Sequence, residues 1–319
     1  MLEVISPSTL TTIQDTGRRG WQAYGVPISG PMDAFAHRAA NLLVANPPEA
    51  AALEIGYSSA AFLAHADCLI AATGPGFALL VNERSMRMWT SIYVRKNRRI
   101  RLKKTDPGNW ATLAIHGGIQ TPPALGSRAT YLRAQLGADP AHPLQAGDFL
   151  PIGPTTHPLL DLASRTMRPM IDYSPNPTIH IIPGPQQAHF THPVHRTFFS
   201  STYTISPTSD RTGYRLNGPT LERAISSELI SEGMARGCIQ IPADGLPIVM
   251  QADCPTTGGY PKIASVISAD QPVLAQVPVG TGQIHFTETT VEKAQARYRE
   301  IMTGLGKSIL QPAADDYSW

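Results

Sequence analysis

The apolar residues of this chain come in short runs. Cys68-Leu69-Ile70-Ala71-Ala72, Ser91-Ile92-Tyr93-Val94, Ala111-Thr112-Leu113-Ala114-Ile115 and Pro247-Ile248-Val249-Met250 each stop at turn-forming residues. Three more runs crowd toward the end, Ile263 to Ile267, Val273 to Val277 and Gln283 to Phe286, with Ser-Ala-Asp and Gly-Thr-Gly between them. Runs of this length are strand-sized. Strands this short and this regularly spaced predict barrels rather than alternating strands and helices. Composition agrees with many turns: 29 prolines and 26 glycines stand among 319 residues. Charged residues make up 16%, against about 25% in an ordinary domain. With 42% hydrophobic residues the chain can build a core, so it is not a disordered polymer.

Several classes are excluded early. A net charge of +2 without a basic cluster is not a nucleic-acid footprint. No apolar stretch reaches the roughly 18 residues of a membrane span. The start, Met1-Leu2-Glu3-Val4-Ile5-Ser6-Pro7, has neither the basic nor the apolar region of a signal peptide. Cys68, Cys238 and Cys254 are odd in number and form no CxxC pair, which fits a reducing cytoplasm. No Walker A stretch and no GxGxxG following a strand occurs.

Two helices are expected. One should run from about Pro31 to Ala45, with Ser29 or Gly30 as cap and Asp33 near its positive end. Met32, Phe35, Ala36, Ala39, Leu42 and Leu43 form its apolar stripe, and Asn46-Pro47-Pro48 stops it. The other should run from about Thr290 to Thr303, with Thr289 and Glu292 as a capping box and Gly304 as its end. Prolines accumulate from Pro151 to Pro177, which marks the boundary between two β domains. The predicted division is 1–165, 166–306 and a flexible tail at 307–319. A short echo links the halves: Ile5-Ser6-Pro7 precedes Asp15-Thr16-Gly17-Arg18, and Ile205-Ser206-Pro207 precedes Asp210-Arg211-Thr212-Gly213. Whether it marks a duplication stays open.

Chemistry-bearing residues concentrate in glycine-rich segments. Gln14 to Trp21 and Gly25 to Asp33 combine Asp15 with Arg18 and Arg19, and two arginines can clamp a carboxylate or phosphate. Ser209 to Leu216 again joins Asp210, Arg211 and a glycine turn. In both segments an internal Asp–Arg pair is the plainer alternative. Asp253-Cys254-Pro255-Thr256-Thr257-Gly258-Gly259-Tyr260-Pro261-Lys262 is richer. Two hydroxyls, the unhindered amides of Gly258 and Gly259 and a nearby lysine can surround a carbonyl oxygen or a carboxylate. Glu228, Glu232 and Gln240 can supply a base or orient a small amide, with a surface role as the alternative.

Two signals are discounted. His189, His192 and His195 recur every third residue, but Pro193 interrupts a helix there and no Cys or carboxylate ligand is near. No metal is expected. Cys254 would need a paired base to act as a nucleophile, and none can be assigned.

Taken together, several stretches resemble one family. They are Thr11 to Gly20, Gly25 to Asp33 with Ala40-Asn41, Leu53-Glu54, Leu125-Gly126-Ser127-Arg128, Gly147-Asp148, Gly184-Pro185-Gln186, Ser209-Asp210-Arg211, Gly237 to Pro242, and Thr256 to Lys262. In this order they resemble the biotin-dependent carboxyltransferase-like family, which includes allophanate hydrolase subunit 2 and the C subunit of 5-oxoprolinase. The resemblance implies a mostly β chain of two cyclophilin-like β-barrel domains with a few short helices. It implies a partner, a B subunit or an allophanate hydrolase subunit 1-like protein, and a third subunit. With them the chain would help an ATP-dependent enzyme open 5-oxo-L-proline to L-glutamate, ATP being used by the complex and no cofactor bound by this chain. The same family implies two alternatives. One is a carboxyltransferase component for urea or another small amide. Its biotin would sit on a separate carrier, since no Met-Lys dipeptide occurs here. The other is a non-catalytic regulator of a B-subunit or kinase-inhibitor partner.

On the matching positions, Arg18, Arg211 or Lys262 would hold the substrate carboxylate. Thr256 and Thr257 would contact its carbonyl, beside Gly258, Gly259 and Gln240, and Asp253 or Asp210 would orient a water. The sequence departs from the family at Pro255, where glutamine is usual, at Thr212, where methionine is usual, and at Asn109-Trp110-Ala111-Thr112, where an arginine–tyrosine run is usual. Pro255 removes an amide side chain and a backbone N–H beside the expected site.

Overall fold

The computed structural model describes residues 1–137, 141–224 and 229–310. The chain is mostly β, and its contacts divide it into two compact units. The first comprises Met1–Arg18, Asp33–Ile171 and Met302–Trp319; the second comprises Arg19–Met32 and Asp172–Ile301. The chain therefore crosses to the second unit inside the Pro151–Pro177 stretch, and it also lends that unit residues 19–32, which the contiguous division at 165/166 does not contain.

In the first unit two antiparallel sheets hold all the described strands but Thr166–Met167 and Ile309–Leu310. One has six strands in the order Phe149–Leu150, Leu2–Ser6, Ala60–Ala64, Arg99–Lys104, Phe77–Val81, Arg84–Met86. The other has five, Leu10–Gln14, Ala52–Gly56, Trp110–Ile115, Cys68–Thr73 and Ser91–Val94. Val4, Ile55, Phe62, Ile70, Leu79, Leu102 and Leu113 fill one continuous apolar core. Trp110–Ile115 is buried along its whole length. Alternation sends Ala111, Leu113 and Ile115 into that core and the intervening residues to the opposite face. There the sheet is covered by helix α1, Ala34–Leu43, which binds it through Thr73 Oγ1 donating to Ala36 O at 2.7 Å. The cap of α1 is Asp33, whose carboxylate accepts from Ala36 N at 2.8 Å, rather than Ser29 or Gly30.

The second unit closes a seven-stranded barrel. Around it run Thr178–Pro183, Lys262–Val266, Cys238–Gln240, Ile248–Met250, Gly213–Asn217, Tyr203–Ile205 and Gln283–Glu288, and the last pairs in parallel with the first. Ile179, Ile181, Tyr214, Leu216, Ile239, Val249 and Ile284 are all fully buried. Helix α2, His192–Ser200, seals the barrel with Phe198, stacked on Phe286 at 4.7 Å between ring centroids. Pro193 does not interrupt this helix; it occupies the first turn, where a missing N–H costs nothing.

The run Val273 to Val277, expected as a strand, is helix α3, Gln271–Gln276. Pro272 stands in its first turn, and Asp270 precedes it. Asp270 accepts from the backbone and ring of His180 at 2.8 and 2.7 Å and pairs with Arg297 at 3.1 Å. The last helix, α4, runs Val291–Lys307 and so passes through Gly304 instead of ending there. A Cβ at Gly304 would overlap the Met170 side chain, so this glycine serves close packing, not termination. Its start is capped by Thr290 Oγ1, accepting from Lys293 N at 3.3 Å. Of the tail expected to be flexible, Ile309–Leu310 pairs with Thr166–Met167, and residues 311–319 lie outside the described residues. Among the described residues no helix is long and apolar enough to cross a membrane.

Candidate functional site

The polar loops of the second unit are anchored by one ion pair. The chain leaves strand Ile248–Met250 with Gln251 N donating to Thr212 O at 3.0 Å and Asp253 N donating to Arg211 O at 2.8 Å. These bonds set the two side chains face to face. Arg211 Nε lies 2.9 Å from Asp253 Oδ2, and Nη2 lies 3.1 Å from Oδ1. Both are buried, which makes a forked pair with little competition from water. Arg211 Nη2 also donates to Gly30 O at 2.7 Å. Gly30 has a φ of 92°, a backbone state that favours glycine. Arg236 adds donations to Pro31 O, at 2.9 Å, and to Met32 O. Two arginines thus bind the segment 19–32 to the second unit.

Beyond Asp253 the Thr-Thr-Gly-Gly turn forms a small two-stranded arm. Thr257–Gly258 pairs with Glu232–Gly233, and Met234 N donates to Thr256 O at 2.9 Å. Thr257 is exposed and Thr256 half-buried. Gly258 has no room for a side chain: a Cβ there would lie 2.5 Å from Met234 Cε and 2.6 Å from Gln240 Nε2. Gln240, buried at the end of its strand, donates from Nε2 to Tyr260 O at 3.4 Å.

Lys262 is the cation of this group. It is buried, and its Nζ lies 3.0 Å from Glu232 Oε1 and 3.1 Å from Gly233 O. Gln186 Nε2 donates to the same Glu232 oxygen at 2.5 Å. Gln186 and Lys262 also bond each other through backbone and side chain, Lys262 N to Gln186 Oε1 at 3.2 Å and Gln186 N to Lys262 O at 3.3 Å. Gly184 permits this approach, because a Cβ there would overlap the Lys262 carbonyl oxygen. The second unit therefore brings together Lys262, Gln240, Gly258, Gly259, Thr256 and Thr257, on a segment whose start is held by the Arg211–Asp253 pair. Gln186 is the member to which sequence reasoning gave no role; its only signal was its place in the Gly184-Pro185-Gln186 stretch.

The other predicted residues are placed differently. Asp210 is exposed and holds a turn, its Oδ1 accepting from Thr212 N at 2.7 Å and Gly213 N at 3.1 Å. Arg18 belongs to the first unit, is 1% exposed and donates to Ala129 O. Beside it Asp15 repeats the turn of Asp210, accepting from Gly17 N at 2.9 Å, and it also accepts from Arg128 N at 2.6 Å. Glu228 lies outside the described residues. Burial pushes the Cys254 thiol up to about 11, which leaves it protonated near neutral pH. Among the described residues no group of three or more His, Cys, Asp or Glu is placed to hold a metal ion. His195 Nε2 instead meets Gln187 O at 3.0 Å.

The chemistry on offer is recognition. An ammonium, two carboxamides and two hydroxyls are groups of the kind that can receive a small anion or an amide carbonyl.

The family model for the carboxyltransferase domain, subdomain A and B, matches residues 24–288. The chain is 35% identical over 306 residues to the C subunit of 5-oxoprolinase from Escherichia coli (strain K12), covering 94% of this chain and 97% of that one. It is 32% identical over 297 residues to the corresponding C subunit from Haemophilus influenzae, covering 92% and 93%. It is 31% identical to urea amidolyase of Lachancea kluyveri over 92% of this chain but 17% of that protein. Among solved structures, the K. lactis urea amidolyase superposes with a TM-score of 0.89 at 26% identity, over 98% of this chain and 20% of that one. The Kluyveromyces lactis urea carboxylase gives 0.84 at 27% identity, over 98% and 30%.

Proposed function

The chain belongs to the carboxyltransferase-domain family of subdomains A and B, and from that premise we propose that it is the C subunit of a 5-oxoprolinase. The carrying observation is correspondence to two such C subunits over 97% and 93% of their length. In this reading the chain works in the cytoplasm with a partner resembling the B subunit and with a third protein, and is inactive alone. The substrate is a cyclic amide bearing a carboxylate. Its lactam is an unactivated amide, so adding water to the carbonyl carbon and breaking the ring C–N bond, with the nitrogen leaving as an amine, needs an activating group on the carbonyl oxygen. Phosphorylation by ATP on the complex supplies one, and the reading assigns nucleotide binding to the other subunits.

The second unit supports a division of roles. Lys262, with Gln186 and Gln240 beside it, holds the carboxylate. Thr256 and Thr257, with the amides of Gly258 and Gly259, face the lactam carbonyl. The Arg211–Asp253 pair positions the loop that carries them. Reconstitution with the two other subunits from the same source tests the proposal. Glutamate release with ATP consumption is expected from the full set, and neither from the purified chain. Activity of the chain alone, or none in any combination, overturns it.

A second reading, a carboxyltransferase component for a small amide, draws on the 0.89 superposition with a urea amidolyase. It requires biotin on a separate carrier. Avidin capture of a biotinylated partner with this chain would favour it. Binding of a partner with no turnover in any combination would favour a regulator.

A further inference from the structure

The carboxylate now held by Lys262 belongs to the chain itself. The Lys262 side chain is 7% exposed, whereas that of Glu232 is 41% exposed. A buried ammonium must keep an anion beside it, but nothing in that requirement specifies which anion. The receiving half is built firmly. Lys262 lies in a strand paired on both sides within the closed barrel, and Gln186 is bonded to it twice. The giving half is not. Glu232 sits in a strand of two residues, which among the described residues pairs with Thr257–Gly258 alone.

We propose that Glu232 is an internal ligand occupying the site of an incoming small-molecule carboxylate, and that Lys262 Nζ and Gln186 Nε2 are the groups that take that carboxylate when Glu232 swings out. This rests on the reading of Lys262 as the carboxylate holder. Exchange of one carboxylate for another keeps the buried ammonium neutralised throughout. A neutral lactam cannot make this exchange, so the device selects carboxylate-bearing amides over plain ones. It also keeps the ammonium paired until substrate arrives.

The probe is acetate, titrated onto the purified full chain by calorimetry at constant ionic strength, with 2-pyrrolidinone as the uncharged control. Glu232→Gln should bind acetate about tenfold more tightly than wild type, because a site occupied by its own ligand taxes an incoming one. Neither protein should bind 2-pyrrolidinone measurably. Lys262→Met in the Glu232→Gln background should abolish acetate binding. Glu232→Ala supplies a second readout: acetate should raise its melting temperature saturably, and chloride should not. Equal acetate affinity in wild type and Glu232→Gln, or acetate binding that survives loss of Lys262, overturns the proposal. The two readings fail separately. If no combination of proteins opens 5-oxoproline but Glu232→Gln still gains acetate affinity, the function falls and the internal ligand stands. If turnover is present but acetate affinity is unmoved, the internal ligand falls alone.

Discussion

Arg211 and Asp253, 42 residues apart in sequence, meet as a buried forked pair with contacts of 2.9 and 3.1 Å. The arginine also reaches Gly30 O, so the pair joins three segments of the second unit. Both carboxylate oxygens of Asp253 are thereby bonded to this one guanidinium.

Removing one member should unfold rather than merely slow the protein. Asp253→Asn leaves a buried guanidinium without its counter-charge, a change worth about 3–5 kcal/mol. Urea denaturation should show that loss, while the double replacement Arg211→Met with Asp253→Leu should cost far less than the two single changes added together. An Asp253→Asn protein as stable as wild type that nonetheless lost all turnover in the complex would make Asp253 a chemical group instead.

The glycines of the site should rank by what surrounds them. At Gly184 a methyl would overlap backbone, the Lys262 carbonyl oxygen, which cannot step aside. Gly184→Ala should cost about 3 kcal/mol. At Gly258 the obstacles are the ends of Met234 and Gln240 at 2.5 and 2.6 Å, which can move. Gly258→Ala should cost about 1 kcal/mol but displace the Gln240 amide, raising the KM of the reconstituted complex. At Gly259 the nearest atoms stand at 3.3 and 3.5 Å, so alanine there should change stability by no more than about 0.5 kcal/mol. Thermal melts of the three variants check the order, and Gly259→Ala as the most damaging change would refute it.

These particulars show what was legible in the sequence. Strand runs such as Ser91–Val94 were plain because period and length act locally. Val273 to Val277 misled because a short apolar run does not distinguish a strand from a buried helix. The deciding signal was Pro272 just after Asp270, a helix start. Gly304 read as a stop because glycine ends many helices, whereas its actual reason is Met170, far away in sequence. For the site, the Thr256-to-Lys262 stretch announced itself by its polar content. The partners of Lys262 did not, because Gln186 and Glu232 arrive from separate segments through barrel closure. The same holds for Arg211: an acid shortly before a glycine marked the Asp210 turn, but nothing local pointed to Asp253.

Cys254 lies inside the site segment and invites assignment as a nucleophile. Burial pushes its thiol, and that of Cys68, up to about 11. At pH 8 the reactive thiolate is then about one part in a thousand. Iodoacetamide should label both slowly at pH 8, with rates rising roughly tenfold per pH increment up to about 11, as read by mass spectrometry of the digested protein. Cys254→Ser should retain turnover in the complex. Rapid stoichiometric labelling of Cys254 at neutral pH would contradict this.

The first unit carries a pH-sensitive element in His37. It lies on the buried face of α1, and burial is the main reason its pKa falls from 6.5 to about 4. Asn41 Nδ2, which can only donate, stands 3.2 Å from His37 Nε2, so the ring must accept there and stays neutral. The unfolded chain takes up a proton on this ring as the pH drops below 6.5; the folded chain does so only near 4. Stability therefore declines as the pH falls through that window and levels off below it, by about 3 kcal/mol from this residue. Urea denaturation at a series of pH values between about 7 and 4 should show the decline, and His37→Gln, which stays uncharged in both states, should make it shallower by about that amount. Identical slopes in the two proteins would mean that His37 is not the group responsible.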